Sequence, residues 1–253
     1  MHKALSTGHF FTRTLATAAL ALLPLAASAA QFTNGSLTGS VSGYSLVPAG
    51  WVNYNQGTSD TVSTAGHPFA GIFGGIGAYP YAASSDGGTF VWSAAYNGAP
   101  VSNVPEGIVQ TVTGLTPGVQ YAINFEYTNL SLYDSPTHIA SNAFGVGYNM
   151  DSTGGWLVLG NGNALGSTPT VAPVSVAGTQ QWSNFQLMFT AVAASETFSF
   201  VADYRGGPGN YVGMGIDGIN LSAVPELPAS AGLLMGLLVL GARQRPRLQG
   251  LPG

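Results

Sequence analysis

The amino-acid sequence predicts an all-β fold, an antiparallel β-sandwich or barrel, for the middle of the chain. Apolar and polar residues alternate there with a period of two, and Gly, Pro, Asn, Asp and Ser separate the alternating stretches. No stretch shows the periodicity of an amphipathic helix. Glycine (36) and proline (15) make up about a fifth of the 253 residues, less than the roughly 25–30% typical of disordered chains. A folded, turn-rich domain is therefore expected.

The clearest predicted hairpin consists of two alternating stretches, 108–113 and 121–128, joined by the turn Leu115-Thr116-Pro117-Gly118. A second pair of stretches, 185–189 and 198–203, has the same alternation. One face of each predicted strand is apolar, so all four are expected to cover a common core.

Two further stretches complete the strand pattern. The final strand, 212–221, contains Gly213, Gly215 and Gly218, which indicate a β-bulge or a close approach of another backbone. The same two-residue spacing recurs at Phe144, Val146, Tyr148 and Met150.

Charged residues are few and unevenly placed. They make up 6% of the chain, against roughly 25% in an ordinary soluble domain. Arg205 is the only basic residue between positions 31 and 222, where nine of the ten carboxylates lie, so this region has a formal charge of −8 within a total of −4. No nucleic-acid partner is expected, because phosphate binding needs clustered Lys or Arg. The absence of cysteine excludes disulfides, thiolate zinc sites and cysteine nucleophiles.

The N-terminal segment, residues 1–30, has the three parts of a secretory signal peptide. Lys3 and Arg13 precede an apolar run over 15–25, and small residues follow at 27–30. The alternative is a retained membrane anchor, but the run is shorter than the roughly 20 residues that span a bilayer. The mature chain is expected to start near residue 30 or 31.

The C-terminal segment has a comparable three-part pattern. A Pro-containing motif, with Val224, Pro225, Glu226 and Pro228, precedes an apolar stretch that is predicted to be helical over 229–242. Three arginines follow the stretch, at Arg243, Arg245 and Arg247. Because basic residues after an apolar helix stay on the cytoplasmic side, the preceding domain is expected outside the inner membrane. The alternative is an ordinary C-terminal helix that packs on the core.

Residues 223–247, followed by a tail over 248–253, resemble the PEP-CTERM sorting signal of Gram-negative bacteria. The resemblance implies that an exosortase-type enzyme processes the protein, and that the bacterium makes exopolysaccharide. One departure is that Leu227 separates Glu226 from Pro228, which leaves the cleavage point open.

A second resemblance covers residues 31–222, expected to form one domain. Its segments look like those of the galactose-binding-like jelly rolls of carbohydrate-binding modules: Asn34-Gly35-Ser36-Leu37, Gly50-Trp51, the strand 107–112, the turn 115–118 leading to Tyr121, and the closing stretch 215–221. The resemblance implies a jelly-roll sandwich that binds sugars or glycosides.

Aromatic residues are the candidates for stacking on sugar rings. Most aromatics are expected to fill the core, and Trp51 and Trp92 are predicted to be structural. The predicted ligand-binding residues are Tyr79, Tyr81, Tyr96 and Trp156.

The same resemblance implies a structural calcium site that uses Asn34 and Asp217. Calcium takes six to eight oxygen ligands. The acidic residue that usually follows the Asn-Gly-Ser motif is replaced here by Leu37, Thr38 and Gly39, which weakens the predicted site. The alternative is that Asp217 caps backbone amides in a turn.

The sequence offers little for catalysis. His67 and His138 lie in no metal or triad spacing. Glu106 and Glu126 are candidates for the carboxylate pair of a glycoside hydrolase, whose members must lie about 5–10 Å apart, but solvated surface is the simpler interpretation. The sequence therefore predicts a protein that is not an enzyme.

Together these features predict an exported protein of the cell surface or extracellular matrix, anchored transiently in the inner membrane through 229–242. Its expected partners are an exosortase-type enzyme and a polysaccharide or envelope component. The alternative function is a structural or adhesive matrix protein without a glycan pocket, and a glycoside hydrolase is the third class.

Overall fold

The computed structural model describes residues 30–41, 45–65, 81–97, 105–131, 139–141, 147–174 and 180–225. The strands in chain order are β1 (Val52–Asn53), β2 (Asp60–Ser63), β3 (Thr89–Tyr96), β4 (Gly107–Thr113), β5 (Gln120–Asn129), β6 (Ile139–Ser141), β7 (Gly147–Asn149), β8 (Thr153–Gly160), β9 (Asn163–Ser167), β10 (Ser183–Thr190), β11 (Ser195–Gly206) and β12 (Tyr211–Ala223). One 3-10 turn spans Tyr54–Gln56.

Two five-stranded antiparallel sheets form the domain. The first sheet has the strand order β1-β4-β11-β8-β9 and the second sheet has the order β10-β5-β12-β3-β2, while β6 and β7 form a separate pair. The predicted all-β sandwich is therefore confirmed.

The predicted hairpin between 108–113 and 121–128 is wrong. β4 belongs to the first sheet and β5 to the second, so the turn at Leu115 to Gly118 crosses from one sheet to the other. The pair at 185–189 and 198–203 crosses in the same way, since β10 and β11 lie in different sheets. The two crossing turns bond each other, with the Gly118 amide donating to the Ala191 carbonyl at 2.8 Å.

The predicted irregularity in the final strand is present. The pairing of β12 with β5 shifts register between Asp217 and Asn220. Gly218 has φ of +62° there, a conformation that side chains disfavour. A Cβ atom at Gly213 would lie 2.5 Å from Trp92 Nε1, so this glycine permits the close approach of the indole.

The main core lies between the two sheets. Phe125 of the second sheet and Phe200 of the first meet edge to face, with ring centroids 5.5 Å apart. Trp51 stacks on Phe32 at 5.5 Å and is buried. Burial of each large aromatic removes about 150–250 Å² from water, so these contacts hold the sheets face to face without disulfides.

A second apolar cluster lies on the outer face of the second sheet. Val91 and Ala95 of β3 belong to the main core, whereas Phe90 and Trp92 belong to the second cluster. Successive side chains of a strand point to opposite faces, so the second cluster is on the side away from the first sheet. Trp92 is almost fully buried there, which confirms its predicted structural role.

The first described residues dock onto the last strand. Gln31 Nε2 donates to the Leu221 carbonyl at 2.6 Å, and the Ile219 amide donates to the Gly35 carbonyl at 2.8 Å. The two ends of the described chain therefore meet at the Ala223 end of β12, and Tyr211 begins the strand at its other end.

Candidate ligand-binding cleft

An open cleft lies at the end of the sandwich where β3 ends and β11 approaches its own end. Its volume is about 290 Å³, close to the lower limit of the roughly 300–1,000 Å³ of small-molecule sites. The residues that line the cleft come from both sheets and from the segment before β4, and they include Tyr96, Asn97, Pro105, Leu157, Asp203 and Tyr204.

Two partly exposed tyrosines are among the residues that line the cleft. Tyr96 packs against the second cluster and Tyr204 against the main core. The Tyr96 ring packs edge to face on Tyr211, with centroids 4.8 Å apart. Tyr204 Oη donates to the Gly209 carbonyl at 2.7 Å. The Asn97 amide donates to the Asn210 carbonyl at 2.9 Å, so the β11–β12 connection supports the cleft from one side.

Asp203 is held by the only arginine of the central region. Arg205 Nε donates to Asp203 Oδ2 at 2.9 Å. The Arg205 side chain is 15% exposed and the Asp203 side chain is 43% exposed. The guanidinium also donates to the Thr168 carbonyl and, at 3.4 Å, to the Trp156 carbonyl. It lies directly over Gly155, where a Cβ atom would be only 2.5 Å from Arg205 Cζ. The Asp203 carboxylate is thereby oriented while it stays partly exposed to solvent.

Glu106 lies beside the cleft but is buried in the protein. Its Oε1 accepts a hydrogen bond from Thr58 Oγ1 at 2.5 Å, and its Oε2 accepts one from the Ala94 amide at 2.7 Å. Burial raises the pKa of Glu106 to about 7, against the effect of the Thr58 hydrogen bond. Its backbone joins the two sheets, since its amide donates to Ala94 and its carbonyl accepts from the Ala202 amide, each at 2.9 Å.

A second group of carboxylates lies on the outer face of the second sheet. Asp217 is fully buried, and Ser84 Oγ donates to its Oδ2. Glu126 lies opposite Asp217 in the strand register and accepts hydrogen bonds from the Ser85 amide, at 2.8 Å, and the Ser85 hydroxyl. Burial raises the pKa of Asp217 to about 7, and repulsion by Asp86 and Glu126 adds to that rise.

The four predicted ligand-binding aromatics are placed differently. Tyr96 lines the cleft. Tyr81 is buried in the second cluster, so its ring is not offered to a ligand. Trp156 is fully buried in the main core and donates from Nε1 to the Gly215 carbonyl at 3.0 Å. The prediction for Trp156 is corrected accordingly, because the residue lies on the inward face of β8. Tyr79 is outside the described residues.

Asn34 and Asp217 do not share hydrogen-bond partners. Asn34 Nδ2 donates to the Thr38 carbonyl at 2.9 Å and to the Ala49 carbonyl at 3.2 Å, which closes the turn after the N-terminal segment. Asp217 instead accepts a hydrogen bond from Ser84 Oγ. Among the described residues, no group of three or more His, Cys, Asp or Glu side chains has the arrangement to hold a metal ion.

Glu106 and Glu126 are also apart. Glu106 binds Thr58 in the interior, whereas Glu126 binds Ser85 on the outer face of the second sheet. The structure does not bring these two candidates together as the carboxylate pair of a glycoside hydrolase, and Glu106 is buried rather than on the solvated surface expected for it.

Sequence reasoning missed Asn97, Asp203 and Tyr204 as cleft residues. One signal for Asp203 is present in the sequence, because Arg205 follows it by two positions in an alternating strand and so shares its face. A single arginine in an acidic region is expected to pair with the nearest carboxylate on its own face.

The two terminal predictions fall largely outside the described residues. Val224 and Pro225 of the sorting motif are described, and the Val224 amide donates to the Gln120 carbonyl at 2.9 Å. The signal peptide before residue 30, the remaining motif residues Glu226 and Pro228, the apolar stretch 229–242 and the three arginines lie outside. Within the described ranges, no helix has the length and apolar character needed to cross a membrane.

No family model matches the sequence, and no curated protein matches it. Solved structures do show similarity. A Stig cyclase from Fischerella sp. TAU, crystallised with (3Z)-3-(1-methyl-2-pyrrolidinylidene)-3H-indole, is 17% identical with a TM-score of 0.43, and the match covers 78% of this chain and 94% of that chain.

Adhesin and sugar-binding domains are also among the similar structures. The K1 cleaved adhesin domain of Lys-gingipain from Porphyromonas gingivalis W83 is 14% identical, with a TM-score of 0.41 and coverage of 75% of this chain and 98% of that chain. The C-terminal domain of EclA, a sugar-binding protein, is 14% identical, with a TM-score of 0.30 and coverage of 45% and 64% respectively. These identities and TM-scores support no conclusion about the ligand or activity of this chain.

The sequence-based prediction of a non-enzyme is withdrawn. It rests only on a core that resembles binding modules, and one fold hosts both binding and catalytic functions. A core of this kind therefore does not identify a protein without catalytic activity.

Proposed function

We propose that this protein is exported and binds neutral glycan in the cleft at the Tyr96 end of the sandwich. The observation that carries the proposal is one cleft of about 290 Å³ whose lining includes two tyrosines, Tyr96 and Tyr204, together with Asn97 and Asp203.

The chemistry of these side chains suits a sugar. An aromatic ring covers the apolar C–H face of a pyranose, while an amide and a carboxylate accept and donate hydrogen bonds to its hydroxyl groups. Arg205 orients Asp203 in advance, so less conformational freedom is lost on binding. Hydrogen bonds to an ionised carboxylate are stronger than those between neutral groups.

The charge of the domain favours a neutral ligand. The region between residues 31 and 222 has nine carboxylates and one arginine, so an anionic polysaccharide would meet repulsion. Arg205 does not offset this repulsion, because its guanidinium is engaged with Asp203 and two backbone carbonyls.

The proposed location is the cell surface or the exopolysaccharide matrix of a Gram-negative bacterium. The signal peptide pattern over 1–30 and the PEP-CTERM-like segment 223–247 support it. In this proposal, an exosortase-type enzyme processes the C-terminal segment after 229–242 has anchored the precursor in the inner membrane.

Affinity electrophoresis of the full chain through gels that contain neutral or acidic polysaccharides tests the binding. We expect one neutral polymer to retard the protein. Tyr96→Ala and Asn97→Ala should each weaken retardation about tenfold, which corresponds to about 1.4 kcal/mol. Asn163→Ala is the matched control, because Asn163 is exposed on β9. Uniform migration of the wild-type protein in every gel would overturn glycan binding and favour a matrix role without a pocket.

Export and processing have a separate test. Intact-mass measurement of the protein recovered from the cell surface should show a chain that lacks both the first 29 or 30 residues and the arginine tail. Recovery of surface protein with Arg243, Arg245 and Arg247 still attached would contradict C-terminal processing.

A further inference from the structure

Three of the four edges of the two sheets are protected against pairing with another strand. Within the described residues, β1 has two residues, β2 has four, and β9 has five with a register shift against β8. β10 differs, because its eight residues pair with β5 without interruption. A long regular edge presents unpaired backbone groups to solvent.

β10 also lacks the other features that protect edges. Ser183–Thr190 contains no charged residue and no proline, and its pairing with β5 has no bulge. Asn184, Gln186 and Met188 are exposed on its outer face, Met188 to 47%. Phe185 and Leu187 on its inner face pack against the main core but stay partly exposed. The strand therefore has the features of a pairing surface.

We infer that β10 pairs antiparallel with β10 of a second copy of this chain, about a two-fold axis at Gln186. Residues directly opposite in an antiparallel pair share a face. The two-fold axis of a symmetric pair must therefore pass next to one residue position, which pairs with itself, and not between two consecutive positions. An axis at Gln186 places each Phe185 opposite Leu187 of the other copy on the inner face. It places Asn184 opposite Met188 on the outer face and Gln186 opposite its own equivalent.

A row of amides favours this axis over one at Leu187. Gln186 Nε2 donates to Asn124 Oδ1 at 2.8 Å, and Asn124 Nδ2 donates to Asn220 Oδ1 at 3.2 Å. The three residues are aligned in the register of β10, β5 and β12. Pairing at Gln186 continues the row across the axis, amide against amide. An axis at Leu187 would instead oppose Gln186 to the thioether of Met188.

The charge distribution favours a second copy as the occupant of this edge. The region 31–222 is strongly acidic, and like charges repel when two copies meet. β10 has no carboxylate of its own, so no charged side chain of this strand opposes the approach of a second copy. A second copy also brings a strand that is already formed, whereas a flexible peptide must lose conformational entropy to form one.

The pairing does not depend on the proposed glycan site. Tyr96 lies on β3, which is separated from β10 by β12 and β5 in the second sheet. A dimer would therefore carry two separate clefts.

Sedimentation velocity of the full chain, in a density-matched mild detergent, measures the association. Over roughly a hundredfold range of concentration, we expect the wild-type protein to shift from the mass of one chain to twice that mass. The double variant Gln186→Lys/Met188→Lys should stay at the mass of one chain, because lysines on an edge repel across the axis. Ser222→Lys is the control, since Ser222 is exposed on the same sheet but on β12. A wild-type protein that stays monomeric, or a dimer that survives the double variant, overturns the inference.

A cysteine experiment tests the register. The chain has no cysteine, so a single introduced thiol can form a disulfide only between two copies. Opposed residues of an antiparallel pair have Cα atoms about 4.5–5.5 Å apart, which suits a disulfide. Under mild oxidation Gln186→Cys should give a covalent dimer and Ser222→Cys should not. Failure of Gln186→Cys to cross-link, with circular dichroism showing a folded protein, overturns the pairing at Gln186.

Discussion

Asp217 and Glu126 face each other across β12 and β5, and two consecutive serines hold them, Ser84 on Asp217 and Ser85 on Glu126. Asp217 is fully buried, and among the described residues no partner donates a hydrogen bond to its Oδ1. A buried carboxylate that is only partly satisfied is stable as the neutral acid, which is why the pKa of Asp217 is raised to about 7.

This arrangement predicts stability that falls as the pH rises. The unfolded carboxyl loses its proton near about pH 4, whereas the folded pKa is about 7 for both Asp217 and Glu106. The stabilisation is thus fully present below about pH 4 and is lost as the pH rises through about 7. Urea unfolding between these limits should show a falling free energy of unfolding. Asp217→Asn should reduce the slope, and Asp217→Asn/Glu106→Gln should remove most of it. An unchanged slope in the double variant would refute the assignment.

The pair of Asp203 and Arg205 predicts an asymmetric effect of mutation. Asp203 is 43% exposed, so Asp203→Asn should cost less than about 1 kcal/mol of stability, as for other exposed ion pairs. Arg205→Ala should cost about 1–3 kcal/mol, because it leaves the Thr168 and Trp156 carbonyls without their guanidinium donor. Urea unfolding at neutral pH measures both values. Equal costs for the two variants would show that the backbone contacts of Arg205 add nothing.

Trp156 is predicted to affect stability and not ligand binding. Trp156→Phe removes the donor to the buried Gly215 carbonyl and part of the ring volume, at a cost of about 2 kcal/mol. Its retardation by a glycan should equal that of the wild-type protein, in contrast to Tyr96→Ala. A Trp156→Phe variant with wild-type stability but weakened retardation would return Trp156 to the binding site.

Gly35 is predicted to be essential for docking the N-terminal segment. A Cβ atom at Gly35 would lie 1.9 Å from the Ile219 carbonyl oxygen, so Gly35→Ala must displace backbone and should cost about 2 kcal/mol or more. Gly166→Ala is the control, since its Cβ would meet the flexible end of Leu187 and should cost less than about 1 kcal/mol. Thermal unfolding of both variants checks the difference.

Period-two alternation predicts the strands well because side-chain direction alternates along any strand. It does not predict their partners. The stretches that became β4 and β5 each have one apolar face, and the core between the sheets buries that face whether the two strands share a sheet or lie in different ones. The crossing turn is fixed by contacts such as Gly118 with Ala191, which are 73 positions apart in the sequence and leave no local signal.

The candidate site was predictable only in part. Tyr96 is among the aromatics that the sequence predicts as ligand-binding, and it lines the cleft. Trp156 follows Gly154 and Gly155, a context that suggests a loop, yet these glycines make room for Val212 and Arg205. Asp203 and Tyr204 meet Tyr96 only because β11 and β3, in different sheets, approach each other at one end.

The described chain begins and ends at the same end of β12, and the cleft lies at the other end. Gln31 is bonded to Leu221 at the first of these ends, and Tyr96 is paired with Tyr211 at the second. β12 has 13 residues, which at about 3.3 Å per residue gives a separation of roughly 40 Å. A tether attached where the described chain ends therefore joins the domain at the end of β12 that is opposite the cleft.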